Sequence, residues 1–172
     1  MLPANQTDWY RGTMTEPFYI ATCAGDRQEV GAGLFAARDI AAGETILTFR
    51  GPTLTLEEVR RKGPLAANAL QIAHDLYLDL EEPGRLLNHS CAPNVGVFAD
   101  VEVRALREIA VDEELCFDYS TTVGDGWTMR CLCGEPACRG VVRAFLTLPL
   151  EIRLPHLVRG SVQRFLVDGC GA

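Results

Sequence analysis

"RLLNHSCAPN", residues 85–94, places an amide, an imidazole, a hydroxyl and a thiol at four consecutive positions, Asn88, His89, Ser90 and Cys91. Each of these groups can bind or react. The stretch is therefore compatible with a nucleophilic active site, part of a metal site, a ligand-binding turn, or a polar loop without a function. The rest of the chain has to decide among these four interpretations.

The size and charge of the chain limit the functions that this stretch can have. With 172 residues, of which 48% are hydrophobic, the chain is long enough for one domain with a buried core. Its formal net charge of -7 argues against broad binding to nucleic acid, which needs a basic surface. An acidic surface favours basic partners, including lysine-rich segments. We therefore expect a protein or peptide partner and no direct binding to nucleic acid.

The ends of the chain show no signal for export or membrane insertion. The first ten residues, "MLPANQTDWY", lack the basic region and the apolar run of a secretory signal. The apolar stretch at 141–158 is interrupted by charged residues and prolines, which argues against a membrane span. We predict a cytoplasmic protein. In a reducing compartment, its seven cysteines indicate a metal site or catalysis before disulfides.

Short runs of β-branched and aromatic residues, separated by Gly, Pro, Asp and Asn, predict a mainly β domain. The predicted strands are "FYIATCA", "TILTFR", "LYLDL", "NVGVFA", "VEVRAL" and "LCFDYS". The step from Phe98 through Ala99 and Asp100 predicts a hairpin. One helix is well signalled, because Thr55 can cap it, Glu58 can close a capping box, and Gly63-Pro64 ends it. From about residue 141 the apolar spacing is typical of a helical tail.

The stretch "CLCGEPACRG", residues 131–140, arranges Cys131, Cys133 and Cys138 as C-x-C-x4-C. Three thiolates at this spacing can bind one zinc ion, but a structural zinc site has four ligands. Cys91 is the first candidate for the fourth, and the competing candidates are Cys23, Cys116, Cys170, His74, His89 and His156. Reduced cysteines without a metal are the alternative. Zinc here would fasten the C-terminal segment to the loop of Asn88 without a catalytic role.

Two other interpretations of the polar groups are weaker. A Cys91 nucleophile with His89 as its base is disfavoured, because side chains two residues apart seldom meet in hydrogen-bonding geometry. In "GAGLFAARDIAAGETI", residues 31–46, Gly31 and Gly33 lack the third glycine of a dinucleotide-binding motif. The glycine pair allows close approach of backbone to a ligand, and a tight turn is the alternative.

The stretch "EELCFDYS", residues 113–120, places Phe117 and Tyr119 on one face of a predicted strand. An aromatic pair at this spacing usually belongs to a core, but a buried tyrosine hydroxyl needs a polar partner.

In chain order, "GAGLFAARDIAAGETI", "FRGP", "LLNHSCAPN", "EELCFDYS" and "CLCGEPACRG" resemble the SET domain followed by a post-SET zinc knuckle. SET domains are protein-lysine methyltransferases that use S-adenosylmethionine. The implied fold is a β-clip of short curled sheets with a knot-like crossing around Asn88 and Tyr119. The implied layout is a lead-in at 1–29, the SET domain at 30–120, a hinge and zinc knuckle at 121–140, and a tail at 141–172. Because arginine far outnumbers lysine, which occurs only at Lys62, we interpret the chain as a compact bacterial-type member.

The resemblance also implies roles for individual residues. Tyr119 matches the catalytic tyrosine, which also contacts the cofactor, and Phe117 lines the lysine channel, with Tyr77 as a candidate for its second wall. The backbone around the glycine pair would hold the methionine end of the cofactor, and Leu132 would lie against its adenine. The full set of implied cofactor residues is Gly31, Ala32, Gly33, Leu34, Asn88, His89, Tyr119 and Leu132. The implied zinc ligands are Cys91, Cys131, Cys133 and Cys138.

The resemblance thus implies that "NHSC", residues 88–91, is a cofactor turn whose last residue, Cys91, binds the metal. The chain departs from the family pattern at "FRGP", where Phe49 replaces a common tyrosine and Pro52 a common glutamate. These departures concern substrate choice more than methyl transfer. The alternative function is a catalytically inactive SET-like module that keeps zinc and binds a partner.

Overall fold

The computed structural model describes residues 16–23, 31–124 and 126–168. Within these ranges the strands are β1 (Phe18–Thr22), β2 (Ala32–Ala36), β3 (Thr45–Thr48), β4 (Thr53–Leu54), β5 (Ala69–Ala73), β6 (Leu76–Asp79), β7 (Asn88–His89), β8 (Val95–Phe98), β9 (Glu102–Ala105), β10 (Cys116–Phe117), β11 (Met129–Arg130) and β12 (Val141–Val142). The helices are α1 (Leu56–Arg61), α2 (Leu150–Arg159) and α3 (Arg164–Asp168). Short 3-10 helices lie at Gly63–Asn68, Gly84–Leu86, Tyr119–Thr122 and Phe145–Thr147. The structure confirms a mainly β fold of short strands.

The strands form small sheets around one core. Antiparallel pairing joins β1 to β2, β11 to β12, the order β3-β9-β8, and the order β4-β6-β5. Apolar side chains from several sheets meet in a shared interior, including Leu34, Val95, Val103 and Leu115, each fully buried. Residues that are far apart in sequence are thereby held together tightly enough to position a site.

The pair β7–β10 is the exception, because it is parallel and places Asn88 beside Cys116 and His89 beside Phe117. Asn94 fastens this crossing. Its Oδ1 accepts a hydrogen bond from the Cys116 backbone N–H at 2.9 Å, and its Nδ2 donates to the Glu114 backbone oxygen at 2.7 Å. These contacts hold the segments around Asn88 and Tyr119 side by side, where the resemblance implies a crossing.

The local sequence signals produce the expected elements. Thr55 and Glu58 form the complete capping box of α1. Phe98 pairs with Glu102 across the β8–β9 hairpin, whose turn places Ala99 and Asp100 at positive φ. All six predicted strands are present. Six strands are additional. Four of them, β4, β7, β11 and β12, have only two residues each, and the alanine-rich β2 and β5 have too few β-branched residues to give a strand signal.

The C-terminal tail packs against the segment that follows Tyr119. Phe145 donates its backbone N–H to Val123 O at 3.0 Å, and Gln163 donates to Thr121 O at 3.0 Å. A second apolar cluster of Phe145, Leu148, Val162 and Leu166 holds α2 and α3 in place. No helix within the described ranges combines the length and apolar composition that a membrane crossing requires.

Candidate functional site

The predicted cofactor turn brings Asn88 against the glycine-containing strand β2. Asn88 Nδ2 donates to Ala32 O at 3.2 Å and to Glu114 Oε1 at 2.9 Å. A Cβ atom on Gly33 would lie 2.8 Å from both Asn88 Nδ2 and Glu114 Oε1, closer than side chains tolerate. Position 33 therefore requires glycine so that these two side chains can approach the strand.

Gly31 requires glycine for another reason. Its φ of +85° lies in the left-handed region, and no heavy atom comes within 4 Å of the position where a Cβ would stand. Conformation, and not crowding, excludes other residues there. Gly31 thus shapes the backbone at the start of β2, while Gly33 admits the Asn88 amide.

Glu114 is a site residue that the sequence did not single out. It stands beside Glu113, which hydrogen-bonds Arg107 and Asn94 instead. The local sequence does not distinguish Glu114 from Glu113. The isolated β-bridge between Phe35 and Glu114 is what brings Glu114 to β2. The site therefore contains a carboxylate next to the predicted cofactor backbone.

His89 is buried and its imidazole faces the protein interior. His89 Nδ1 accepts a hydrogen bond from the Tyr119 backbone N–H at 3.2 Å, which fixes the main chain at the predicted catalytic residue. His89 Nε2 lies 3.4 Å from Cys91 Sγ. The expectation that these two side chains would not meet was wrong, since the turn after β7 folds them together. Burial raises the pKa of the Cys91 thiol, however, so it is a poor nucleophile near neutral pH.

Tyr119 and Phe117 lie on a cavity of about 450 Å³. The Tyr119 hydroxyl donates a hydrogen bond to Leu87 O at 2.9 Å, and its ring centroid is 4.7 Å from that of Phe117. Tyr77 and Leu87 also line the cavity, as does Trp127, which the sequence placed only within the predicted hinge and zinc knuckle at 121–140. The structure thus brings the predicted catalytic residue, Tyr119, and both predicted channel residues, Phe117 and Tyr77, to one apolar cavity.

The predicted cofactor residues other than Tyr119 stand outside the lining of this cavity. Leu87 lines it, whereas the next residue, Asn88, is directed at Gly33. Leu34 is fully buried in the core, and its backbone oxygen accepts a hydrogen bond from Leu115 N at 2.8 Å, so it exposes no surface to a ligand. Leu132 is half-buried between the cysteines at 131 and 133. The β7–β10 pair therefore separates a polar turn from an apolar cavity.

The four predicted metal ligands, Cys91, Cys131, Cys133 and Cys138, lie together. Their sulfur atoms are all within 4.8 Å of one another, and the sulfurs of Cys91 and Cys131 are 3.7 Å apart. Tetrahedral zinc with Zn–S bonds of about 2.3 Å requires sulfurs roughly 3.8 Å apart, so the cluster fits that ion. Of the competing ligands, Cys170 falls outside the described residues and the others described do not join this cluster.

Backbone N–H groups donate to sulfur atoms of the cysteine cluster, although burial raises the pKa of the Cys91 and Cys131 thiols. The backbone N–H of Arg139 donates to Cys91 Sγ, and that of Gly140 donates to Cys138 Sγ, both at 3.4 Å. Burial alone would raise the pKa of the Cys133 thiol, but backbone hydrogen bonds outweigh it and lower the pKa to about 7. Such N–H···S contacts are the outer support that a metal–thiolate site uses.

A buried ion pair joins this cluster to Tyr119. Asp118 accepts two hydrogen bonds from the Arg139 guanidinium, both at 2.6 Å, and Ser120 N donates to it at 3.0 Å. Burial alone would raise the pKa of Asp118, but Arg139 outweighs it and holds the pKa below its ordinary value. Because Asp118 precedes Tyr119 and Arg139 follows Cys138, the pair couples the cysteine cluster to the cavity.

Comparison with known proteins agrees with this geometry. The model of the SET domain family matches residues 31–120, more than half of the chain. The chain belongs to the SET domain family. The match spans the glycine turn, the β7–β10 crossing and Tyr119, and it confirms the resemblance seen in the sequence.

Relatives of this SET domain include a histone-lysine N-methyltransferase, H3 lysine-4 specific, of Saccharomyces cerevisiae, 32% identical over 127 residues. That alignment covers 63% of this chain and 12% of the yeast protein. Human histone-lysine N-methyltransferase SETD1A is 30% identical over 125 residues, covering 63% of this chain and 7% of the human protein. The SET domain chain therefore spans a small part of the length of these relatives.

Solved SET domain structures show the same fold. Arabidopsis thaliana SUVH6, solved in complex with SAM, superposes with a TM-score of 0.59 at 23% identity, covering 73% of this chain and 32% of that protein. At this level of identity the superposition supports the β-clip architecture, which was the predicted fold.

Proposed function

We propose that this SET domain protein is an S-adenosylmethionine-dependent protein-lysine N-methyltransferase, acting on a lysine in a protein or peptide. The observation that carries the proposal is the Tyr119 hydroxyl on an apolar cavity, with the Asn88 turn on the other side of the same strand pair. The relatives named as histone-lysine methyltransferases support lysine as the acceptor.

The residues around Gly33 suit the cofactor by their chemistry. S-adenosylmethionine brings an ammonium, a carboxylate and the cationic sulfonium that carries the transferable methyl group. Glu114 and the backbone oxygen of Ala32 offer acceptors for a cationic group, and the left-handed backbone at Gly31 opens space beside them. Asn88 would hold the cofactor's polar end. Leu132, next to the cysteine cluster, would cover the adenine.

The acceptor amine has to lose its proton before methyl transfer. Free lysine has a pKa of about 10.4, so lowering this pKa to about 8, which leaves half of the amine neutral at that pH, takes about 3.3 kcal/mol. The apolar walls formed by Tyr77, Leu87 and Phe117 supply desolvation, which disfavours the charged amine. No carboxylate lines the cavity among the residues described, so desolvation replaces a dedicated base.

Tyr119 would orient the amine. Its hydroxyl proton is donated to Leu87 O. The hydroxyl oxygen can therefore accept a hydrogen bond from an N–H of the incoming amine. Because His89 Nδ1 fixes the Tyr119 main chain, the hydroxyl is held rigidly in place. Rigid positioning contributes much of the rate in a displacement of this kind.

Zinc, bound by Cys91, Cys131, Cys133 and Cys138, would have a structural role in this scheme. It would hold residues 131–140 against the turn after β7 and so keep Leu132 and the Asp118–Arg139 pair in register. We propose the same division of the chain as the resemblance implies: SET domain at 30–120, hinge and zinc knuckle at 121–140, and tail at 141–172. Cytoplasmic location, the absence of nucleic-acid binding and a bacterial-type origin remain predictions from composition.

The proposal is tested by titrating zinc-replete protein with S-adenosylmethionine in a calorimeter. We expect binding near one equivalent, lost in Asn88→Ala and retained in Asn68→Ala, which alters the cavity wall instead. Absence of binding by a folded, zinc-containing protein would favour the inactive binding module. Binding without methyl transfer to any lysine peptide would favour the same alternative.

A further inference from the structure

The charged side chains on the cavity wall are all cationic. Among the described residues that line the cavity, Arg60 of α1 and Arg85 carry full charges, and none is aspartate or glutamate. The other lining residues are apolar or neutral. A peptide entering the cavity therefore meets positive charge and no compensating carboxylate on this wall.

Four carboxylates that are close in sequence to residues of the wall are already engaged. Glu57 pairs with Arg61, Glu82 pairs with Arg85, and Asp79 pairs with Lys62. Glu58 closes the capping box of α1 with Thr55. Arg60, in contrast, is exposed and forms no ion pair within the part of the chain that the structure describes. Arg60 is thus the uncompensated charge on the wall.

This local charge opposes the charge of the whole chain. The net charge of -7 attracts basic partners at long range, but such attraction is screened beyond about 8 Å at physiological salt. At the cavity wall, interactions at contact distance determine which substrate residues are favoured. A guanidinium there repels a basic residue and pairs with a carboxylate. A basic substrate segment would be attracted to the protein as a whole but repelled at the cavity wall.

We infer that Arg60 selects protein substrates in which an acidic residue lies close to the target lysine, and disfavours lysines in strongly basic segments. The inference rests on the proposed function and narrows its substrate class. Arg60 acts here as a specificity residue that contacts the substrate away from the reacting amine.

The test uses zinc-replete full-length protein and peptide pools that share one central lysine among neutral residues. Each pool carries a single Glu, or a single Arg, at one of the four positions on either side, and methylation is measured by mass spectrometry. We expect at least one Glu pool to react about fivefold faster than its Arg counterpart, as for an exposed charge pair. Arg60→Ala should abolish that preference and Arg60→Glu should reverse it.

Arg61→Glu is the matched control, because Arg61 neighbours Arg60 but does not line the cavity, and the preference should persist in it. Equal or faster reaction of the Arg pools in the wild type would overturn the inference while leaving lysine methylation standing. If the preference for Glu pools persisted in Arg60→Ala, the role of Arg60 would be overturned, and lysine methylation would still stand. If the protein binds S-adenosylmethionine but methylates no pool, the inference fails together with the proposed activity. Failure to bind S-adenosylmethionine would instead contradict the proposed function at its first step.

Discussion

The Tyr119 hydroxyl donates a hydrogen bond to the backbone oxygen of Leu87, 32 positions earlier in the chain, at 2.9 Å. The next residue, Asn88, contacts the backbone of Ala32 through its side-chain amide. One short strand thus joins the proposed methyl-transfer residue to the proposed cofactor turn. Changes on either side of β7 should separate catalysis from cofactor binding.

Tyr119→Phe removes the hydroxyl and keeps the ring. We expect turnover to fall by about 100-fold or more, because a preorganised polar group at the reacting centre is lost. Affinity for S-adenosylmethionine should change little, since Asn88 and the glycine turn are intact. Single-turnover methylation and calorimetry measure the two effects, and full activity in this variant would remove Tyr119 from the mechanism.

Phe117→Tyr adds a hydroxyl to the wall of the cavity. The Phe117 and Tyr119 rings are only 4.7 Å apart, so the added group and its bound water would crowd a methylated amine. Products should shift toward monomethyl-lysine, as seen by mass spectrometry of the product peptide. Tyr77→Phe, which removes a hydroxyl from the same cavity, should not produce this shift. An unchanged product distribution in Phe117→Tyr would argue against the channel assignment.

Gly33→Ala tests the packing of the cofactor turn. The new Cβ would stand 2.8 Å from Asn88 Nδ2 and Glu114 Oε1, forcing both away from β2. We expect affinity for S-adenosylmethionine to fall at least about tenfold, a loss of about 1.4 kcal/mol. Gly43→Ala is the control for backbone strain without crowding, because Gly43, unlike Gly33, has positive φ and no heavy atom within 4 Å of its Cβ position. Unchanged affinity in Gly33→Ala would show that the contact is not required.

The cysteine cluster predicts one zinc per chain. Cys133→Ser should lose the zinc and lower thermal stability, because a structural zinc site contributes folding free energy directly. Cys116→Ala, which changes a buried cysteine outside the cluster, should keep one equivalent of zinc. Elemental analysis and thermal unfolding measure both effects. A purified wild type that is fully folded without zinc would contradict the assignment.

The Asp118–Arg139 pair predicts a dependence of stability on pH. Arg139 holds the pKa of Asp118 in the folded protein below its value in the unfolded chain. The pair therefore stabilises the fold at pH values above the unfolded pKa. This stabilisation is lost as the pH falls through the folded pKa. Asp118→Asn leaves Arg139 buried without its counter-ion and should cost about 3 to 5 kcal/mol at neutral pH. The free energy of unfolding, measured by chemical denaturation between pH ~3 and ~7, should fall less steeply with decreasing pH in the variant than in the wild type. Equal slopes in both proteins would mean that Asp118 is not the titrating group.

The elements read from local signals were confirmed, because each depends on neighbouring residues. The α1 capping box needs only Thr55 and Glu58, and the β8–β9 hairpin needs only its turn. The β7–β10 pair could not be derived in this way, because each strand has two residues and its partner is distant in sequence. The family resemblance supplied that crossing and the list of candidate ligands.

The supporting residues of the site were not predictable from the sequence. Glu114, Asn94 and Arg139 are ordinary polar residues by pattern, and only tertiary contacts give them partners. The contact between His89 and Cys91 went against expectation because the turn after β7 reverses the chain sharply. The sequence named the residues proposed to meet the ligands, and the structure adds those that hold them in place.

The proposed activity can be tested by following transfer of an isotopically labelled methyl group from S-adenosylmethionine to a pool of lysine-containing peptides. The wild type and Tyr119→Phe should be compared at equal zinc content. We expect label on the lysine side chain with the wild type and at least about 100-fold less with the variant. Label incorporated equally by both proteins, or by neither although both bind S-adenosylmethionine, would contradict this expectation.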